Sequence, residues 1–301
     1  MYLTFGKDLN VHQQVIFSAI SLLARGLERI TVLTDSPEYY GLLRGRVTLR
    51  VVTDAELAAW RGRHDYFWRM KIRAVQEMCA AHPGEDICYL DGDTFCFANP
   101  APLLERVRAG SNAMHAREGE LSALPTKTER RMYKRTVGQT FGGVRIRSDH
   151  TMYNAGAILL TGVTASRTAD LALAICDDMC AAGVDIWLME QFSMSLALQE
   201  TQEVITANGA IAHYWGNKAD WNARIQRFFV TAHLRGDFLE AQLQAMRDVD
   251  FRELPTYRRS SSRQQKIRRW ITERIAAMPK AFVPAPGAPY DELSERRTAT
   301  R

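Results

Sequence analysis

Long apolar runs are missing from this chain of 301 residues. None reaches the roughly 18 residues that a membrane-spanning helix needs, so no such helix is expected. Cysteine is scarce and odd in number, at five, which argues against a disulfide framework. Cys176 and Cys180 are four apart, on one face of an expected helix. They lack a matching His/Cys pair and read as core thiols rather than zinc ligands. Internal repeats are absent. An excess of positive charge is also missing from most of the chain. Residues 1–250 hold 27 Lys/Arg against 29 Asp/Glu, whereas residues 251–301 hold 12 against 5. The net +5 therefore belongs to the tail, and a basic nucleic-acid groove across the fold is excluded. Met1–Asp8 reads as a strand and turn, without the basic start and long apolar centre of a signal peptide. A cytoplasmic protein is expected.

What is present suits a large core. Hydrophobic residues make up 46% of the chain, and the length allows one large α/β domain or two small ones. Apolar runs at 2–5, 29–34, 47–52 and 87–90 predict strands. Helical spacing over 11–25 (Val15, Ile16, Ala19, Ile20, Leu22, Leu23) and 65–81 predicts helices between them. This alternation implies a mostly parallel sheet with right-handed crossovers. Further strands are expected at 152–160, 204–205 and 211–213, and further helices at 171–181, 187–200 and 237–247. Residues 110–150 are polar, with Lys127, Arg130, Arg131, Lys134 and Arg135 in the middle. They read as a long loop, either a lid over an anionic ligand or a solvated surface. In the tail, Ile267, Trp270, Ile271, Ile275 and Met278 fall on one face of a helix expected over 263–278, with Arg and Lys around them. That helix either lies on an anionic membrane surface or docks on its own domain. Residues 279–301, with four prolines, are expected to be extended.

The chemistry-bearing stretch is Ile87-Cys88-Tyr89-Leu90-Asp91-Gly92-Asp93. Residues i and i+2 of an extended segment share a side. Asp91 and Asp93 can then face one point beyond the C-terminal end of a strand, the edge where open α/β sheets bind ligands. Two carboxylates there suit Mn²⁺ or Mg²⁺, which in turn can hold a diphosphate. Asp-Gly-Asp is also a common turn.

Four motifs, in order, resemble GT-A-fold glycosyltransferases, most closely glycosyltransferase family 8. They are Leu3-Thr4-Phe5-Gly6-Lys7-Asp8, Tyr89-Leu90-Asp91-Gly92-Asp93, Tyr153-Asn154-Ala155-Gly156 and Leu188-Met189-Glu190-Gln191. The resemblance spans about residues 2–220. It implies a single GT-A-like (Rossmann-like) α/β domain over residues 1–250, with a basic helical C-terminal tail over 251–301. It also implies a retaining, metal-dependent transfer from a nucleoside diphosphate sugar, with uridine as the expected base, to a glycan or glycolipid. Thr4, Phe5, Gly6 and Asp8 would line the nucleotide. Asp91 and Asp93 would hold the metal, with His213 from His213-Tyr214-Trp215-Gly216-Asn217-Lys218 completing its shell. Lys218 would meet the diphosphate, although this stretch is one residue shorter than the family's and lacks the Pro-Trp that follows. Lys71 or Arg69 would reach the same diphosphate. Arg69 and Arg73 share a helix face that Lys71 does not. Asn154 and Gly156 would contact the donor sugar, and Glu190 and Gln191 would act near the reacting carbon. An inverting enzyme would need a positioned carboxylate base. A membrane-facing acceptor would give the basic tail a purpose. Two other readings stand beside this one. A sugar nucleotidyltransferase would favour a glycine-rich phosphate loop after the first strand, where this chain has one glycine. A non-catalytic sugar- or partner-binding protein could use the same fold.

Overall fold

The computed structural model describes residues 1–124, 126–184 and 187–256. The helix expected over 263–278 and the extended segment 279–301 lie outside these residues. The described chain is mixed α/β. Its elements run β1 (Tyr2–Thr4), α1 (Leu9–Leu23), β2 (Thr31–Thr34), β3 (Thr48–Val51), α2 (Asp54–Trp60), α3 (Arg69–Ala81), β4 (Ile87–Leu90), β5 (Thr94–Cys96), α4 (Ala101–Arg108) and β6 (Asn112–Glu120). They continue with α5 (Lys127–Thr136), β7 (Thr140–Phe141), β8 (Val144–Arg145), β9 (Thr151–Leu160), α6 (Ala165–Ala181), α7 (Met189–Thr201), β10 (Val204–Thr206), β11 (Ile211–His213), α8 (Lys218–Arg235) and α9 (Leu239–Arg247).

β1, β2 and β3 form a parallel ladder. Met1 joins it to a second ladder: its carbonyl accepts from the Leu90 N–H at 3.0 Å and its amine meets the Cys88 carbonyl. The order through both is β3-β2-β1-β4-β9-β6-β10. The sheet is parallel in its N-terminal half, as expected, and mixed beyond it. β9 runs antiparallel to both β4 and β6, while β10 pairs parallel with β6.

All ten residues of β9 are buried. Its Ile158 and Leu160 pack with Ile72, Val75, Ile175 and Phe192 from α3, α6 and α7. The alternate Ala157 and Leu159 pack with Phe17, Ile20, Phe95, Tyr214 and Trp221 on the α1/α8 side. A strand covered on both faces reads as an unbroken apolar run, as Ala155–Leu160 of this one does. Among the described residues no helix is long and apolar enough to cross a membrane.

The segment 110–150 is not a long loop. Residues 112–120 form β6, which is built into the sheet between β9 and β10. Residues 127–136 form α5, started by a capping box in which Thr126 and Glu129 satisfy each other's backbone N–H. Residues 140–145 carry the short β7–β8 pair.

Candidate metal centre

Five segments meet at the C-terminal end of β4. The turn Asp91-Gly92-Asp93 leaves the strand there and is closed by Thr94 Oγ1 donating to the Asp91 carbonyl at 2.7 Å. Gly92 lies against α1: a Cβ there would stand 3.0 Å from Val15 Cγ2. β11 pairs antiparallel with β5 so that His213 sits opposite Thr94, and the Tyr214 N–H donates to the Asp93 carbonyl at 3.0 Å. This pairing brings His213 to the acidic turn from the far end of the sequence. β9 lies on the other side, where the Gly156 carbonyl accepts from the Asp91 N–H at 2.9 Å. α3 contributes Lys71, and the start of α7 contributes Glu190 and Gln191.

One ligand atom from each of Asp91, Asp93 and His213 lies within 4.8 Å of the others. His213 Nε2 stands 3.3 Å from Asp93 Oδ1 and 3.9 Å from Asp91 Oδ2. Its ring is held from behind. Asn154 Oδ1 accepts from the Gly156 N–H at 3.0 Å, which fixes the amide's orientation, and the same oxygen lies 2.8 Å from His213 Nδ1. His213 Nδ1 therefore carries a proton and Nε2 faces two carboxylates. A lone pair pointed at two anionic oxygens is repulsive, and a cation between them would remove that repulsion. Gly156 provides the room for the ring. A Cβ there would come within 2.1 Å of His213 Nδ1. An imidazole oriented by a second hydrogen bond, with two carboxylates opposite, is a donor set that could hold a divalent metal ion.

Cations of the chain itself also reach this point. Lys218 Nζ lies 2.9 Å from Asp93 Oδ2, and its side chain is half-exposed. Lys71 is buried, with Nζ 3.1 Å from Asp91 Oδ1, 3.4 Å from Glu190 Oε1 and 2.7 Å from the Ala155 carbonyl. It also stands 4.9 Å above the Tyr89 ring. Tyr89 in turn donates to Asp91 Oδ1 at 3.0 Å. Burial opposes the Lys71 charge, but Asp91 and Glu190 outweigh it and its pKa is raised. Burial likewise opposes the Asp93 charge, yet His213 and Lys218 hold this carboxyl below its ordinary range. Glu190 goes the other way. Burial, with Asp91 nearby, pushes it up to about 7 against the pull of Lys71.

Gln191 is partly exposed. Its Oε1 accepts from the Ala155 N–H at 3.4 Å and its Nε2 donates to Glu118 Oε2 at 2.9 Å. Glu118 also accepts from Asn154 Nδ2 at 3.3 Å. It keeps solvent access yet is ringed by protein on most sides, and that desolvation raises its carboxyl above the ordinary value. Glu118 went unassigned in the sequence because it lies in the polar stretch read as a loop. His115, three residues before it, faces the His213 ring edge-on at 5.4 Å. Burial first, and His213 second, push its pKa down to about 3.

The other expected site residues have partners of their own. Thr4 is buried at the end of β1, and Phe5 packs on Phe67 with ring centroids 5.7 Å apart. The Gly6 N–H donates to the Asp35 carboxylate at 2.9 Å, with φ at +85°. Asp8 caps α1 by accepting from the Asn10 N–H at 2.9 Å. Arg69 is bound to Asp177 at 2.6 and 2.9 Å, and Arg73 to Gln76, so neither reaches the acidic turn. Cys176 and Cys180 are free thiols on α6, Cys176 buried and Cys180 partly so. No protein-family model and no curated protein matches the chain.

Proposed function

We propose that the chain is a metal-dependent glycosyltransferase of GT-A-like fold, resembling family 8. It would move a sugar from a nucleoside diphosphate sugar, with uridine as the expected base, to a glycan or glycolipid with retention. The observation that carries this reading is the convergence of Asp91, Asp93 and His213 on one point beyond β4, with Asn154 and Gly156 holding the imidazole.

Asp91, Asp93 and His213 would hold Mn²⁺ or Mg²⁺. The bound cation would supply Lewis-acid stabilisation of the leaving diphosphate. Lys218, half-exposed at Asp93, is free to turn toward that diphosphate. Lys71 is fixed under Asp91 and Glu190 and adds positive potential from below the site. Gln191 and Glu118 present a partly exposed, hydrogen-bonded pair where the transferred sugar would lie. Glu190 is buried and serves as the counter-charge of Lys71. A front-face transfer needs no strong protein base, since the leaving phosphate takes the acceptor's proton.

Calorimetry of UDP with Mn²⁺, and again with a chelator, tests the reading. Binding should require Mn²⁺ and be lost in Asp91→Asn with the fold intact; Mn²⁺-supported affinity unchanged in that variant would remove the assigned role. One observation favours a second reading, a non-catalytic sugar- or partner-binding protein. Lys71 and Lys218 already neutralise Asp91 and Asp93 without any ion. Absence of nucleotide binding under either condition would select it.

A further inference from the structure

Two lysines stand at the acidic turn, and their settings differ. Lys71 is held by four groups. It donates to the Ala155 carbonyl at 2.7 Å, faces Asp91 and Glu190, and lies over the Tyr89 ring. Its side chain is 7% exposed. Lys218 opens α8, and 53% of its side chain is exposed. Asp93 is its only ion-pair partner among the described residues, with Oδ2 at 2.9 Å. The contact lacks the alignment of a hydrogen bond, and this buried oxygen accepts none among the described residues.

A half-exposed ammonium held by one misaligned contact gains little from it. Asp93 is in the opposite position. Its side chain is 7% exposed, and a buried carboxylate left without a partner is costly. The ammonium can therefore leave only when another cation takes its place at Asp93.

The two oxygens of Asp93 have different neighbours. Oδ1 stands 3.3 Å from His213 Nε2, and Oδ2 meets Lys218. A divalent ion held by Asp91, Asp93 and His213 would share the Asp93 carboxylate with Lys218. Like charges on one carboxylate repel. Asp91, Asp93 and Glu190 are the carboxyls that face the two lysines here. Even with all three ionised, the ion leaves an excess of positive charge. A diphosphate bound to the ion would remove that excess and give Lys218 a new partner.

We propose that Lys218 couples the two ligands: it opposes a bare divalent ion and favours the ion together with a nucleoside diphosphate. The site then takes up the metal–diphosphate complex in preference to the ion alone. Lys218 is a positioning residue in this scheme, and Lys71, buried and held on several sides, is not free to play the part. The coupling rests on the transferase reading for its diphosphate; the opposition to the bare ion rests on Asp93 alone.

The test measures Mn²⁺ affinity by calorimetry, with and without saturating UDP, on the full chain and three variants. Lys218→Met removes the ammonium and keeps a long side chain, and Lys218→Arg keeps the charge. Arg227→Gln removes a charge from the exposed side of α8, about 13 Å further along the helix and beyond a Debye length. Lys218→Met should bind Mn²⁺ alone about tenfold more tightly than wild type, and UDP should enhance its Mn²⁺ binding about tenfold less. Lys218→Arg and Arg227→Gln should match wild type in both. Mn²⁺ affinity without UDP that is unchanged or weaker in Lys218→Met would overturn the proposal. An equal gain in Arg227→Gln would also overturn it, because net charge alone would then account for the effect. If UDP enhances Mn²⁺ binding equally in wild type and Lys218→Met, the transferase reading stands and the coupling falls. If UDP binds none of the proteins, the transferase reading and the coupling fail together, and the titration with Mn²⁺ alone still decides whether Lys218 opposes the ion.

Discussion

The carboxylates that follow β1 and β2 and those that follow β4 are used differently. After β1 and β2, Asp8 and Asp35 accept from backbone N–H groups, of Asn10 and Gly6 respectively. Those bonds complete a helix cap and a turn, with Asn10 Nδ2 and Ser36 Oγ adding one side-chain donor to each. After β4, Asp91 and Asp93 face side chains instead: an imidazole, two lysines and a phenol. Side chains can rearrange or exchange a partner for an ion, whereas backbone amides are fixed by the fold.

Four variants sharpen or break this contrast. Gly156→Ala should act most strongly, because the new Cβ overlaps the His213 ring and the ring must leave the cluster. Mn²⁺ binding followed by calorimetry should disappear, and overpacking should cost about 1–3 kcal/mol in chemical denaturation; Mn²⁺ affinity equal to wild type would mean that His213 is not a ligand. Glu190→Gln comes next, and its effect depends on pH. In the metal-free protein Glu190 titrates at about 7, against an ordinary 4.5 when unfolded. The folded state holds the proton more tightly. Its stabilising contribution is complete below about pH 4.5 and is lost as pH rises through 7. Across that window the wild type should lose about 3 kcal/mol relative to Glu190→Gln. Denaturation curves with chelator at a series of pH values measure this, and parallel curves for the two proteins would contradict the burial of an ionisable Glu190.

Asn154→Ala removes the group that orients His213 but no ligand atom. Mn²⁺ affinity should fall about 10–100-fold, and the signature of the imidazole in the metal's spectrum should broaden rather than vanish. Asp8→Ala is the control from the other strand end. Loss of the α1 cap should cost about 1 kcal/mol in stability with Mn²⁺ affinity untouched. A drop in Mn²⁺ affinity there would show that the two strand ends are not independent.

The sequence was a good guide wherever burial imposed a period. β1, β2, β4, β9 and β11 all lie within or next to apolar runs, and α1 and α3 within helical spacing. It was a poor guide to β6. Its sequence, Asn112-Ala113-Met114-His115-Ala116-Arg117-Glu118-Gly119-Glu120, is buried at one end and exposed at the other, so no period of two develops. The ladder with β9 and β10 holds it through backbone groups, which leave no trace in residue type. α5 was missed because Met132 is its only fully buried apolar residue, although Thr126 and Glu129 spelled a capping box. Asp91, Asp93 and His213 were legible as residues and are brought together by the β5–β11 pairing. Lys218 shows the limit of spacing arguments. Its stretch is a residue short, yet a single turn of 3₁₀ helix at Trp215–Asn217 delivers it to Asp93. Glu118 could not be placed without β6.

The β5–β11 pairing has a consequence for how the molecule comes apart. It joins Asp93 to a histidine about 120 residues further along the chain, and closing so long a loop carries an entropic cost. The three-ligand set therefore does not exist in any short fragment or early folding intermediate. It is complete only when the segment from β11 onward has docked on the first four strands. An ion bound there acts as a clasp on that docking: by mass action it raises the free energy of releasing the C-terminal helices along with that of global unfolding. Protease sensitivity and amide exchange in α9 and the C-terminal half of α8 would then report whether the clasp is shut.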